Sequence, residues 1–284
     1  MKIPYETQLN AFIENTLSED VGEGDHTSLS CIPPSRKGKA ILMVKEQGII
    51  AGIKVAEVVF RKVDEDSVFE ANLVDGAVVS PGDIAFYITG NIRAILKVER
   101  LILNIMQRMS GIATQTERYV SKLHGLKTRV MDTRKTTPGM RFLEKEAVRI
   151  GGGENHRMGL YDMIMIKDNH IEYAGGIHNA IEKTHRYLEK RKLNLKIEIE
   201  AHDLNAVKEI LEVGRVDRIM LDNFTVSDTE KAVEMINGRF EIESSGGITL
   251  ETIRDYAECG IDYVSIGALT HQSKSLNLSL KAIT

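Results

Sequence analysis

Met163-Ile164-Met165-Ile166 runs directly into Lys167-Asp168-Asn169, and this junction decides how the chain is read. An apolar run of strand length stops at a long cation that has no packing reason to sit there. The pattern recurs. Arg129-Val130-Met131-Asp132 leads into Thr133-Arg134-Lys135, and Lys196-Ile197-Glu198-Ile199-Glu200 ends in a carboxylate. Ile219-Met220-Leu221 leads into Asp222-Asn223. Phe240-Glu241-Ile242-Glu243 leads into Ser244-Ser245-Gly246-Gly247, and Tyr263-Val264-Ser265-Ile266 into Gly267-Ala268-Leu269. Helix-like segments separate most of these runs, and strands alternating with helices imply a parallel sheet. A parallel barrel gathers the carboxyl ends of its strands around one mouth, where active sites lie.

The rest of the chain reads differently. Residues 6–19 carry Leu9, Phe12, Ile13 and Leu17 at helical spacing, and residues 23–28 form a turn-rich loop. Strands are expected at residues 40–44, 68–74 and 84–88, and an amphipathic helix at 53–62, a small α+β unit without a βα rhythm. A long helix follows over residues 92–108. Ser110-Gly111 interrupts it, and a second helix runs to Leu123. The domain boundary is therefore placed near 110, giving domains at 1–110 and 111–271. The tail, 272–284, reads as helical over 276–283 and is able to pack back on either domain, the first included. Residues 111–271 fall short of the about 250 residues of a complete eight-stranded barrel. The expected fold is α/β, with an incomplete, open parallel barrel whose gap the N-terminal domain, of this chain or of another subunit, is the natural element to cover.

The chain has 284 residues, enough for one large core or two modest ones. A net charge of −4 gives no support for general nucleic-acid affinity. Cys31 and Cys259 are too few and too far apart for a disulfide framework or a metal-ligand spacing, and read as reduced cytosolic thiols. Met1-Lys2-Ile3-Pro4-Tyr5-Glu6 lacks the apolar core of a signal peptide, and no apolar run approaches a membrane span. The expectation is a cytoplasmic protein without a nucleic-acid or membrane partner.

Cations crowd the stretch from Thr133 to Lys167. Arg141, Lys145 and Arg149 recur every four residues among Glu144 and Glu146, which reads as a solvated helix face. Arg134 and Lys135 differ, because they follow a strand and precede Thr136-Thr137-Pro138-Gly139, a turn able to hold anions. Gly151-Gly152-Gly153 is a flexible segment that leads to His156 and Arg157. Arginine forks grip carboxylates and lysine offers a mobile charge to phosphate. The ligand is thus expected to be a dicarboxylate, a polyphosphate, or both.

Opposite these cations, Glu200 and Asp222 end consecutive strands, where carboxylates meet sugar hydroxyls or a Mg²⁺ ion riding on pyrophosphate. Glu198 shares the face of Glu200, so one of the two is free to be structural. Ser245-Gly246-Gly247 and Gly267-Ala268-Leu269 end the last two strands, the place for a phosphate seat in a barrel. His170 and His271 sit beside turns and read as structural. No P-loop, Rossmann fingerprint, nucleophile elbow or zincin motif is present.

Three segments together resemble one known family. They are Asp132-Thr133-Arg134-Lys135-Thr136-Thr137-Pro138-Gly139, the run from Gly151 through Asn155-His156-Arg157 to Gly159-Leu160-Tyr161-Asp162, and Lys167-Asp168-Asn169-His170. Leu221-Asp222-Asn223, Glu243-Ser244-Ser245-Gly246-Gly247-Ile248 and Gly267-Ala268-Leu269-Thr270-His271 continue the match in order. Glu99-Arg100, Leu103-Asn104 and Ser110-Gly111-Ile112-Ala113-Thr114 extend it upstream. The chain resembles the quinolinate phosphoribosyltransferases along nearly its whole length. The resemblance implies an N-terminal α/β sandwich and an open α/β barrel, in a homodimer or larger homo-oligomer. It implies Mg²⁺-dependent transfer from phosphoribosyl pyrophosphate to quinolinate, with decarboxylation, in NAD biosynthesis. By the same resemblance Arg134, His156 and Arg157, with Arg100 from a neighbouring subunit, hold the quinolinate carboxylates. Thr133 joins this pocket, and Lys135 and Lys167 lie between the two substrates. Glu200 and Asp222 take the ribose hydroxyls and the metal. Ser245, Gly246, Gly247, Gly267, Ala268 and Leu269 seat the 5-phosphate.

Overall fold

A computed structural model describes residues 4–283 of the chain. Met1-Lys2-Ile3 and Thr284, at the ends of the expected first domain and tail, lie outside the described residues. Two compact units emerge. One runs to Glu117 and adds Thr136–Gly152 and the chain from Leu269 onward; the other comprises Arg118–Lys135 and Gly153–Ala268.

In chain order the elements begin with α1 (Tyr5–Val21), α2 (His26–Cys31), β1 (Lys37–Val44), β2 (Gly48–Ile49), α3 (Ile53–Val63), β3 (Val68–Ala71), β4 (Val78–Val79), β5 (Ile84–Asn91) and α4 (Ile92–Ser121). They continue with β6 (Arg129–Met131), α5 (Arg141–Ile150), β7 (Ile164–Ile166), α6 (Asp168–Ala174), α7 (Ile177–Arg191), β8 (Ile197–Ala201), α8 (Leu204–Val213), β9 (Arg218–Asp222) and α9 (Val226–Ile236). The last are β10 (Glu241–Ser245), α10 (Ile253–Glu258), β11 (Tyr263–Ser265), α11 (Ala268–His271) and β12 (Leu278–Ile283). Among the described residues no helix is long and apolar enough to cross a membrane.

The first unit is built on an antiparallel sheet of order β12-β1-β5-β3. Phe60 of α3 packs edge-on against Phe86 of β5 at 6.0 Å, and Phe69 of β3 lies 4.6 Å from Phe86. The segment expected to be a turn-rich loop ends in a helix instead, because the Asp25 carboxylate accepts the Ser28 N–H at 3.0 Å and caps α2. The tail is a strand and not a helix. Leu276, Leu278 and Leu280 alternate with polar residues, a period of two, and β12 pairs with β1 so that Leu280 stands opposite Leu42.

Ser110-Gly111 does not break the long helix, since α4 runs unbroken through both residues. The pair serves close packing. The Ser110 hydroxyl accepts the Ala51 N–H at 2.9 Å, and a Cβ on Gly111 would lie 2.1 Å from the Lys274 carbonyl oxygen. The expected solvated face of α5 is also corrected. Glu144 and Lys145 are fully buried, and Arg141 is half-buried with its Nε donating to Thr136 Oγ1 at 3.0 Å. The Glu144 carboxylate accepts Arg108 Nη2 at 2.9 Å and the Thr137 N–H at 3.1 Å. Only Arg149 stays on the surface, paired with Glu146 at 3.0 Å. Charge spacing alone hid this, because α5 buries Phe142, Leu143, Ala147 and Val148 around most of its circumference.

The second unit holds the six runs that the sequence marks as strands. They form one parallel sheet of order β6-β11-β10-β9-β8-β7. The first and last strands of that order do not pair, so the barrel is open, as the length of the chain requires. Glu154 forms a single parallel bridge to Met131, adding one position to the β6 edge. Short polar caps start the outer helices: the Asp203 carboxylate accepts the Ala206 N–H at 2.8 Å, and Thr225 accepts the Asp228 N–H at 3.1 Å.

Gly111→Ala discriminates between packing and helix propensity. Alanine gains about 1 kcal/mol of propensity over glycine, whereas overpacking against a rigid carbonyl costs about 1–3 kcal/mol or more. The expected result in thermal unfolding is a lower Tm; an unchanged or raised Tm would show that the Lys274 contact yields easily.

Candidate active site

Parallel pairing delivers the strand ends of the second unit to one rim. Thr133, Arg134 and Lys135 form the loop after β6, where Thr133 Oγ1 accepts the Lys135 N–H at 3.1 Å. His156 and Arg157 follow the Glu154 bridge. Lys167 stands at the end of β7 and its N–H donates to His170 Nδ1 at 2.9 Å, so His170 caps α6. Glu200 lies in β8 and Asp222 ends β9. Ser245 ends β10 opposite Asp222, Gly267 follows β11, and Ala268 and Leu269 open α11. Arg100 is exposed on α4 and belongs, like Leu269, to the first unit.

Two of these groups meet directly, and the charge of a third is felt by a fourth. Lys167 Nζ pairs with the Glu200 carboxylate, itself nearly buried. Burial and, next, the positive charge of Arg134 pull the Arg157 guanidinium below its ordinary range, while Glu198 and Glu200 oppose the shift. Two guanidinium groups close enough to repel each other, one of them half-buried, form a place for an anion. On the other side of the rim, the Asp222 carboxylate accepts Asn223 Nδ2 at 2.9 Å and lies 3.5 Å from His202 Nδ1. Asn223 in turn packs on the Ser-Gly-Gly turn. Gly246 has φ +93°, and a Cβ there would lie 2.2 Å from Asn223 Oδ1. Glycine is obligatory at this turn for two reasons, backbone conformation and close approach.

Below the rim lies a layer of ionisable groups, of which sequence reasoning assigned His156 to the site, left Glu198 open and named neither Arg218 nor Glu243. His156, expected as a carboxylate ligand, turns its ring inward. Nε2 lies 2.9 Å from Glu198 Oε2 and 3.5 Å from Glu243 Oε2. Nδ1 accepts the Arg157 N–H at 2.6 Å, and the His156 N–H donates to Asp132 Oδ1 at 2.9 Å. Arg218 Nη1 donates to Glu243 at 2.9 Å, and its guanidinium stacks 4.0 Å from the centre of the Tyr263 ring. Asp132, Glu198 and Glu243 have no exposed surface. Of the pair Glu198 and Glu200, then, the first belongs to this layer and the second to the rim. The available signal was a glutamate in mid-strand between apolar neighbours, as at Ile197-Glu198-Ile199.

Two sets of side chains invite a metal. Among the described residues, His156, Glu198 and Glu243 offer ligand atoms within 4.8 Å of one another. Chemistry argues against an ion there. The Arg157 N–H on Nδ1 places the ring proton on Nε2, the atom facing the carboxylates, and leaves it no lone pair to donate. Glu200 and Asp222, on neighbouring strands, are the expected alternative, with Glu200 paired to Lys167. One or two hard oxygen donors at an open rim suit Mg²⁺ shared with the phosphates of a ligand.

An open parallel barrel with clustered cations facing carboxylates and glycine turns at its carboxyl rim belongs to the class of enzymes that bring two anionic substrates together. Two family profiles cover the chain: the quinolinate phosphoribosyl transferase N-terminal domain matches residues 25–110 and the C-terminal domain residues 112–281. The chain is 45% identical over 291 residues to the chloroplastic carboxylating nicotinate-nucleotide pyrophosphorylase of Oryza sativa subsp. japonica, covering 97% of this chain and 78% of that one. It is 40% identical over 273 residues to the probable carboxylating nicotinate-nucleotide pyrophosphorylase of Bacillus subtilis, covering 96% and 93%. The crystal structure of NadC from Streptococcus pyogenes superposes over 100% of both chains with a TM-score of 0.92 at 38% identity. The chain belongs to the quinolinate phosphoribosyltransferase family.

Burial makes the floor pH-sensitive. It raises the Glu198 carboxyl from 4.5 to about 7, and burial together with the Glu198 charge raises Glu243 from 4.5 to about 8. The folded chain therefore holds protons that the unfolded chain has released, so stability is greatest at low pH within this window and falls as pH rises through it. Tm is expected to decline between about pH 5 and pH 8, and Glu243→Gln should flatten that decline. A Tm that climbs over the same range would contradict the assignment.

Proposed function

We propose that the chain transfers the phosphoribosyl group of phosphoribosyl pyrophosphate to quinolinate and releases CO₂, forming nicotinate mononucleotide and pyrophosphate in NAD biosynthesis. The observation that carries this reading is the common rim of parallel strand ends, at which Arg134 follows β6, Lys167 follows β7 and pairs with Glu200 of β8, and Asp222 ends β9, in a member of this family. Quinolinate carries two adjacent carboxylates, which two guanidinium groups suit better than one lysine would.

In this reading Arg134 and Arg157 grip the carboxylates, and His156 supports Arg157 from below. Lys135 and Lys167 stand between the dianion and the phosphoribosyl donor and reduce their repulsion. Glu200 and Asp222 accept the ribose hydroxyls and would hold Mg²⁺, which when bound neutralises the pyrophosphate. Ser245-Gly246-Gly247 and Gly267-Ala268-Leu269 seat the 5-phosphate on backbone amides. The pyridine nitrogen then forms its bond to the anomeric carbon as the bond to pyrophosphate breaks, through an oxocarbenium-like state. Positioning and charge stabilisation do most of the work, and no side chain acts as a nucleophile. The quaternised ring accepts the electron pair left when the adjacent carboxylate departs as CO₂, and a proton replaces that carboxylate.

A homodimer supplies what one chain lacks in this proposal. Arg100 reaches the quinolinate of the partner subunit, and the open edge between β6 and β7 gives such a partner a place. The two free cysteines suit an enzyme of the cytoplasm.

Quinolinate-dependent CO₂ release in the presence of phosphoribosyl pyrophosphate tests the reaction, with nicotinate as competitor. Turnover of nicotinate in preference to quinolinate would overturn it. Arg134→Ala should lower kcat/KM for quinolinate about 10- to 100-fold, the loss of a charged hydrogen bond, with an unchanged circular dichroism spectrum. Arg100→Ala and Lys135→Ala chains, each inactive alone, should regain partial activity after subunit exchange; no recovery despite proven exchange would reject the shared site.

A further inference from the structure

The buried layer beneath the rim is more than a core. Glu198 and Glu243 are completely buried, and neither oxygen of Glu198 has a hydrogen-bond donor in good geometry. Leaving a carboxyl so placed is costly unless it serves another group. The group it faces is the His156 ring. Three neighbours fix His156, one at its main chain and two at its ring. Asp132 Oδ1 accepts its backbone N–H at 2.9 Å, Glu198 lies 2.9 Å from Nε2, and the Arg157 N–H donates to Nδ1 at 2.6 Å. Arg218, donating to Glu243 at 2.9 Å and to Glu241 at 3.0 Å, anchors the far end of the series.

We propose that Glu198 and Glu243 are positioning residues for substrate binding, acting through His156 on Arg157. The contact runs in one direction of support. An accepting carboxyl oxygen of Glu198, ionised or not, favours the ring with its proton on Nε2, and that form alone leaves Nδ1 as an acceptor for the Arg157 N–H. The main chain of Arg157 is thereby fixed, and with it the origin of the guanidinium that grips a ligand carboxylate. The inference rests on the reading of this pocket as a quinolinate site. It assigns His156 a place beneath the substrate and gives a function to two glutamates inside otherwise apolar strands. Rotating the ring, or moving its proton to Nδ1, would turn the Arg157 amide loose and disorder the grip without touching the phosphoribosyl side.

The test is a double-mutant cycle on the full-length enzyme, using Glu198→Gln, His156→Asn and the pair. Each single change should raise the KM for quinolinate about tenfold while the KM for phosphoribosyl pyrophosphate stays within about twofold. The double change should cost no more than either alone. Additive losses, or an equal rise in both KM values, would overturn the proposal and mark the layer as merely structural. Glu243→Gln provides a second, isosteric route should Glu198→Gln fail to fold. A readout independent of turnover separates this idea from the substrate assignment. ¹⁵N spectra of histidine-labelled enzyme should show His156 with its proton on Nε2, altered in Glu198→Gln. A proton on Nδ1 sinks the positioning role even if quinolinate is the substrate, whereas the expected spectrum with no quinolinate turnover sinks only the substrate.

Discussion

In a parallel sheet every strand points the same way, so the six strands of the second unit must all end on one rim. That constraint turns residues distant in sequence into neighbours. Arg134 follows β6, Lys167 follows β7, Glu200 and Asp222 belong to β8 and β9, and the glycine turns follow β10 and β11. A hairpin topology would have sent alternate ends to opposite faces and scattered the same letters. The price of parallel pairing is a fully buried sheet, seen in β8, where every residue from Ile197 to Ala201 is buried.

Burying charge in such a sheet demands balance. The positive charge of Arg134 adds to burial in lowering the Arg157 guanidinium. Lys167 is held on Glu200, so its charge is balanced within the rim. In the floor the imbalance has the opposite sign, and two desolvated glutamates keep their protons to higher pH than usual. Rim and floor meet at His156-Arg157, where a single backbone amide links them.

Much of this was legible in the sequence because strand ends announce themselves. Each of the six apolar runs stops at a charge or a glycine, and each is a strand in the barrel. The open edge followed from counting residues. What escaped were features that local patterns do not encode. Ser110-Gly111 carries a turn signature, yet its glycine exists to admit the Lys274 carbonyl inside a continuous helix. Glu144 and Lys145 sit at helical charge spacing but are buried by the tertiary packing of α5. The tail alternates with a period of two, and its leucines mimic a helix only when the intervening polar residues are ignored. His156 was marked by its motif, but the inward direction of its ring depends on Glu198 and Glu243, which arrive from other strands.

The central claim is that a guanidinium pair at the barrel rim is shaped for two neighbouring carboxylates. Isothermal titration calorimetry with quinolinate, repeated at increasing salt, addresses that claim without requiring turnover. Saturable binding at one site per chain is expected, weakening as salt rises and not reproduced by the monocarboxylate nicotinate. Equal binding of the two ligands, or no heat with quinolinate in the presence of phosphoribosyl pyrophosphate and Mg²⁺, would contradict it.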